Sequence, residues 1–192
     1  MKRFIRYSLI FTVLALIATG CLTVEKKIYT FHFTGKTSGT LTIKYVNLLS
    51  MSDYGEDEDG NAIDNASEDF DDLVGTYLNG TSLEETYPLA TNIQKRLFEE
   101  NGQLCGEVTM DFSNIDVARL YQFDKKSPIC FSVSNAIDGE YFESTNGTLG
   151  NVDYMNVVFW KAGTKTLIVT TGVTSPSEET QDLLSYYKAW KK

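Results

Sequence analysis

A single histidine, His32, serves the whole chain. That scarcity excludes most nucleophilic hydrolases, because Ser-His-Asp and Cys-His systems both need an imidazole as the base. His32 shares a strand face with Ile28 and Thr30, which reads as a packed or surface residue and not as a catalyst. No glycine-rich phosphate loop and no dinucleotide fingerprint is present. Two cysteines and one histidine beyond the N-terminal segment give no zinc-ligand spacing. Between Lys44 and Lys95 there is no lysine, arginine or histidine at all. A chain of formal charge -9 with no basic stripe is excluded as a nucleic-acid binder, since phosphate neutralisation dominates that affinity.

Long apolar runs are also missing. The longest, from Ser8 to about Ala18, is shorter than the ~20 residues that a membrane-spanning helix needs. It follows Lys2, Arg3 and Arg6 and ends in small residues, the three-part pattern of a secretory signal peptide. Ala18-Thr19-Gly20-Cys21 then resembles a bacterial lipobox. The resemblance implies cleavage before Cys21, diacylation of its thiol and acylation of the new amino terminus. Each buried CH₂ of an acyl chain contributes ~0.8 kcal/mol, so two or three chains hold a protein to a bilayer where one does so only marginally. Leu22, in place of aspartate after the cysteine, resembles the enteric signal for the outer membrane. The expected location is therefore the bacterial cell envelope, lipid-anchored, on the outer membrane facing the periplasm. Loss of residues 1–20 removes three bases and no acid, so the charge of the remaining 172 residues becomes -12.

What is abundant is acid and aromatic side chain. Twelve carboxylates fall between Lys44 and Lys95, mostly in and just after an acidic loop at residues 50–66. Setting Gly60 at the turn glycine of a helix-loop-helix calcium motif places Asp57 and Asp59 as ligands. It also places Gly55 and Ala66 where two essential ligands belong, so the standard loop fails. An irregular calcium site on Asp57, Asp59 and Asp64 is the one metal candidate, against a solvated loop held open by self-repulsion. Otherwise no cofactor is expected.

Periodicity predicts a single α+β domain over residues 21–192, a mainly antiparallel β-sheet packed by two or three α-helices. Lys26–Phe33 and Thr40–Leu49 read as a hairpin with Tyr29, Phe31 and Phe33 on one face. Helices are predicted at about 68–77, with Ser67 as its cap, at about 89–100, stopped by Asn101-Gly102, and at the C-terminus, started by a Ser175-Pro176-Ser177-Glu178 capping box. Leu104, Gly106, Val108, Met110 and Phe112 alternate along one strand, and Ile129, Phe131 and Val133 along another. Further strands are expected near 141–144, 154–160 and 166–171, the last two joined as a hairpin by residues 161–165. Cys105 and Cys130 lie on the more polar faces of their strands. In an exported chain they suggest a disulfide closing about 25 residues and contributing ~3 kcal/mol, the alternative being two free thiols.

A lipid-modified cysteine followed by a hairpin, a helix and then "GQLCGEVTMDFSNIDVARL" resembles the LppM-type domain of bacterial lipoproteins. That resemblance implies a β-rich domain with lipid binding. Independently, the aromatic content suggests an apolar cavity lined by residues such as Phe112, Phe131, Phe159 and Trp190, with ordinary sheet packing as the alternative. The expected function is non-enzymatic: a binding or structural module of the envelope whose ligand is a lipid or other amphiphile. Two alternatives stand beside it. One is a protein-interaction subunit, binding a basic envelope partner through the acidic loop. The other is an envelope hydrolase using paired carboxylates, which needs two acids facing each other in a cleft.

Overall fold

The computed structural model describes residues 22–51, 65–133, 140–150, 156–177 and 179–192. Cys21, Asp57, Asp59 and Asp64 lie outside the described residues. The protein is α+β, a mostly antiparallel β structure with three short α-helices packed on it.

Two long strands, β1 (Leu22–Phe33) and β2 (Gly39–Met51), form the hairpin that organises the molecule. Tyr29, Phe31 and Phe33 of β1 are buried together, as their alternation requires. α1 (Ala66–Asp72) follows, continuing as a π-helical turn through Leu78, and then the single turn α2 (Ser82–Thr86). The predicted start of α1 is displaced: Asn65 precedes it, and Ser67 is inside the helix. Ser50 Oγ donates to Asp69 Oδ2 at 2.5 Å, tying α1 to β2 through two buried polar side chains.

Residues 91–100 are not a helix. They form β3 (Thr91–Glu100), which returns through Asn101-Gly102 into β4 (Gln103–Phe112). Asn101 has φ 53° and Gly102 φ 78°, the two left-handed residues of a tight two-residue hairpin. Ile93, Leu97 and Phe98 also fit a helical spacing, and Gln, Lys, Arg and Glu are good helix formers. Pairing with a strong neighbouring strand overrides that preference. β3 is an edge of the large sheet, where charged side chains suit exposure and oppose edge-to-edge association.

A 3-10 turn (Ile115–Ala118) leads to β5 (Leu120–Tyr121) and β6 (Ile129–Ser132). β7 (Tyr141–Thr145), β8 (Thr148–Leu149), β9 (Val157–Trp160), β10 (Thr166–Gly172) and β11 (Thr180–Asp182) follow, and α3 (Leu184–Trp190) closes the chain. The large sheet runs β3-β4-β2-β1-β10-β7, with β11 paired to the far end of β2; the small sheet runs β5-β6-β9-β8. β9 and β10 therefore belong to different sheets, and residues 161–165 cross between them instead of closing the expected hairpin. The C-terminal helix starts later than predicted. Ser177 and Thr180 exchange hydrogen bonds in a turn, and Asp182 Oδ1 accepts from the Leu184 amide at 2.6 Å at the true start.

The main core fills the space between the two sheets. Phe131 of β6 packs 5.3 Å from Tyr29 and 5.4 Å from Phe31, ring centre to ring centre, and Ile129, Val158 and Trp160 descend beside it. A second cluster joins Val24, Leu48 and Leu104 to Phe70 and Leu73 of the α1 segment and Leu184 and Tyr187 of α3.

The expected disulfide is not formed; Cys105 and Cys130 are both free. On β4 the core face carries Leu104, Gly106 and Val108, so Cys105 lies on the reverse face, in register with Phe98. Cys130 pairs with Tyr121 and Phe159 on the outer face of the small sheet. Both sheets and the core separate the thiols, whereas a disulfide needs Cα atoms within about 7 Å. The polar faces were read correctly, but they belong to opposite sides of the molecule.

Candidate functional site

Between the small sheet and the helical segment, no described residue covers the inner face of the large sheet. A cavity of about 940 Å³ opens there. Its size falls at the upper end of small-molecule sites, roughly 300–1,000 Å³. The floor is made by Lys27 and Tyr29 of β1, Ile43 and Tyr45 of β2, Leu97 of β3 and Val108 of β4. Leu73 and Leu78 of the π-helical turn, Leu83 of α2, and Tyr87 close one side, while Phe131 and Val133 close the other.

The floor exists because of a change of phase. Val24 and Leu48 line the same cavity as Lys27, Tyr29 and Tyr45, which strict alternation would forbid. The change falls at the Glu25–Asn47 position, where Asn47 takes φ 59°. Asparagine tolerates that left-handed geometry. Its side-chain amide donates to Glu25 Oε2 at 3.0 Å, which holds the buried Asn47 satisfied. Gly106 contributes by what it lacks: a Cβ there would come 3.4 to 3.7 Å from Leu48, Leu97 and Tyr45 side chains.

The polar part of the cavity centres on Glu140. Its carboxylate accepts from Lys27 Nζ at 2.6 Å, from the Tyr29 hydroxyl at 3.1 Å and from Thr171 Oγ1 at 2.7 Å. The Glu140 side chain is 8% exposed, so this is a largely desolvated ion pair with its oxygens satisfied. Burial and then the adjacent Glu140 carboxylate push the Tyr29 phenol far above its ordinary value. Burial, and next the neighbouring Tyr87, raise that of Tyr45 as well. Arg119 stands at the rim, its guanidinium 4.7 Å from the centre of the Tyr87 ring and Nη2 donating to the Thr86 carbonyl at 3.3 Å.

The ladder register separates the acids that border this space. Glu107 is in register with Arg96 and Lys44, on the reverse face of the sheet, and pairs with Arg96 at 2.7 Å. Glu107 and Glu140 thus do not face each other, and among the described residues these two acids form no carboxylate pair of the kind a hydrolase uses. No group of three or more metal-ligating side chains forms among the described residues.

Of the four aromatic residues expected to line a pocket, the structure places Phe131 there. Phe112 is buried in the main core, edge-on to Phe33 at 5.6 Å. Phe159 lies on the outer face of the small sheet, and Trp190 is half-exposed on α3, 6.3 Å from Phe70. Their strand or helix phase, not their type, decides this. Lys27 and Tyr45 carried a legible signal: each shares parity with buried neighbours, Tyr29 and Phe31 for the first, Leu41 and Ile43 for the second. Glu140, which arrives from a distant part of the chain, carried none.

Comparison of the chain with protein-family models, curated proteins and solved structures finds no match.

Proposed function

We propose that this protein is a lipid-anchored lipoprotein of the bacterial cell envelope, and that its domain binds an amphiphile without catalysing a reaction. The observation that carries the reading is the cavity of about 940 Å³, with apolar walls from both flanks and a satisfied polar cluster in its floor. Amphiphiles need both kinds of surface in one space. The lipobox supports the anchor. Leu22, Thr23 and Val24 line the cavity, so its near end lies one residue from the proposed acylated Cys21. A tether that short keeps the cavity beside the bilayer from which a lipid would be drawn.

The test is native mass spectrometry of the full chain, released from membranes in a mild non-ionic detergent. A co-purifying mass matching an amphiphile is expected. Gly106→Ile should abolish it, because the new side chain projects among Leu48, Leu97 and Tyr45 without removing any wall residue. Chain without adduct, or an adduct that survives in the filled variant, would sink the cavity reading.

A further inference from the structure

The cations around the cavity are not equivalent, and their pairing names a ligand class. Lys27 is closed by Glu140 at 2.6 Å. Lys95 is closed by Glu84 at 2.9 Å and by the Gly80 carbonyl at 2.6 Å. Arg96 belongs to the reverse face with Glu107. Arg119 alone among these four has no carboxylate partner among the described residues.

Arg119 is also held in place. It follows the 3-10 turn in a left-handed conformation, φ 57°, with its amide bonded to the Asp116 carbonyl at 3.0 Å. The Tyr87 ring holds the guanidinium by a cation–π contact. A guanidinium carries five N–H donors, and one is engaged by Thr86. The remaining donors stand exposed at the rim of an apolar cavity.

We infer that the amphiphile taken by this cavity carries an anionic head group, a carboxylate or a phosphate, and that Arg119 receives it at the rim. This rests on the amphiphile-binding reading. The local charge favours it: Lys27, Lys95 and Arg96 are each offset by a carboxylate, whereas Arg119 carries a positive charge that no carboxylate of the described residues offsets. A neutral amphiphile would need no such residue. Guanidinium pairs bidentately with either oxyanion, and the tail then lies along Leu73, Leu83, Leu97 and Phe131.

The experiment uses the full chain in phosphatidylcholine nanodiscs with three photoactivatable long-chain probes, identical except for a terminal carboxylate, phosphate or alcohol. Labelled positions are read by peptide mass spectrometry. Cavity residues should be labelled by an acidic probe at least about tenfold more than by the alcohol, the effect of one charge-assisted bidentate pair. Labelling by only one acidic probe identifies the head group. Arg119→Gln should reduce acidic labelling to the alcohol level. Arg119→Lys should restore part of it, because charge survives while the fork is lost. Unchanged urea midpoints establish that both variants fold; if Arg119→Gln falls, Arg119→Lys decides. Equal labelling by the alcohol, or no loss in the variants, overturns the role of Arg119 and leaves the cavity reading standing. No cavity labelling by any probe removes both.

Discussion

Lys27 and Glu140 form a 2.6 Å ion pair inside the cavity floor, 113 residues apart in sequence. Their side chains are 19% and 8% exposed, so neither charge is well solvated without the other. Glu140→Ala should cost about 2–3 kcal/mol by leaving Lys27 desolvated and unpaired. Lys27→Met combined with Glu140→Gln should recover much of that loss. Urea denaturation of the two variants checks it, and equal destabilisation in both would show that the pair itself is not the cause.

Stability should fall at alkaline pH more steeply than tyrosine exposure alone would give. The Tyr29 and Tyr45 phenols are raised in the folded protein, chiefly by burial. Their contribution is complete below the unfolded value near pH ~10 and is lost as pH rises above it, because only the unfolded chain releases the protons. Each group should remove about 1.4 kcal/mol per pH unit there. Urea midpoints across that range in the parent and in Tyr45→Phe measure the effect. A slope unchanged by the substitution would contradict the burial of Tyr45.

Both described cysteines should titrate as thiols. Burial raises each above the ordinary thiol value, and Cys105 is the fully buried one. A thiol reagent should therefore modify Cys130 in the native protein and Cys105 only after denaturation. Non-reducing peptide mapping that recovers a Cys105–Cys130 crosslink would refute the separation of the two sheets.

Gly102→Ala should destabilise by about 1 kcal/mol through backbone conformation alone. Its φ is +78°, and a Cβ there meets nothing within 4 Å. Gly39→Ala should be much worse, since its Cβ would lie 2.1 Å from the His32 carbonyl oxygen in the adjoining strand. Thermal melts of both variants compare the two effects. No loss at Gly102 would mean that the β3–β4 turn is not left-handed.

Cys21→Ser should abolish metabolic acylation of the protein. An acyl label that survives the substitution would refute the lipid-anchor reading.

Much of the fold was legible because alternation is local. The β1–β2 hairpin, the core face of β4 and the inner face of β6 follow from residues two apart pointing the same way. β3 was misread because its apolar residues satisfy both periods, and Asn-Gly serves equally to end a helix or to turn a hairpin. The choice was made by β4, a strand with an open edge. The cysteine pair failed for a related reason: the polar side of a strand is local knowledge, but which sheet that strand joins is not.

The sequence by itself determined the class, the hairpin at the centre, the acidic character and the expectation of an anchored, exported chain, since each rests on composition or short-range pattern. Tertiary structure alone decided the cavity. A phase change at Asn47, the absent side chain of Gly106, the arrival of Glu140 beside Lys27 and Arg119, which has no carboxylate partner among the described residues, come from four separate stretches of chain. Packing brings them to one face of one sheet, and no local pattern records that meeting.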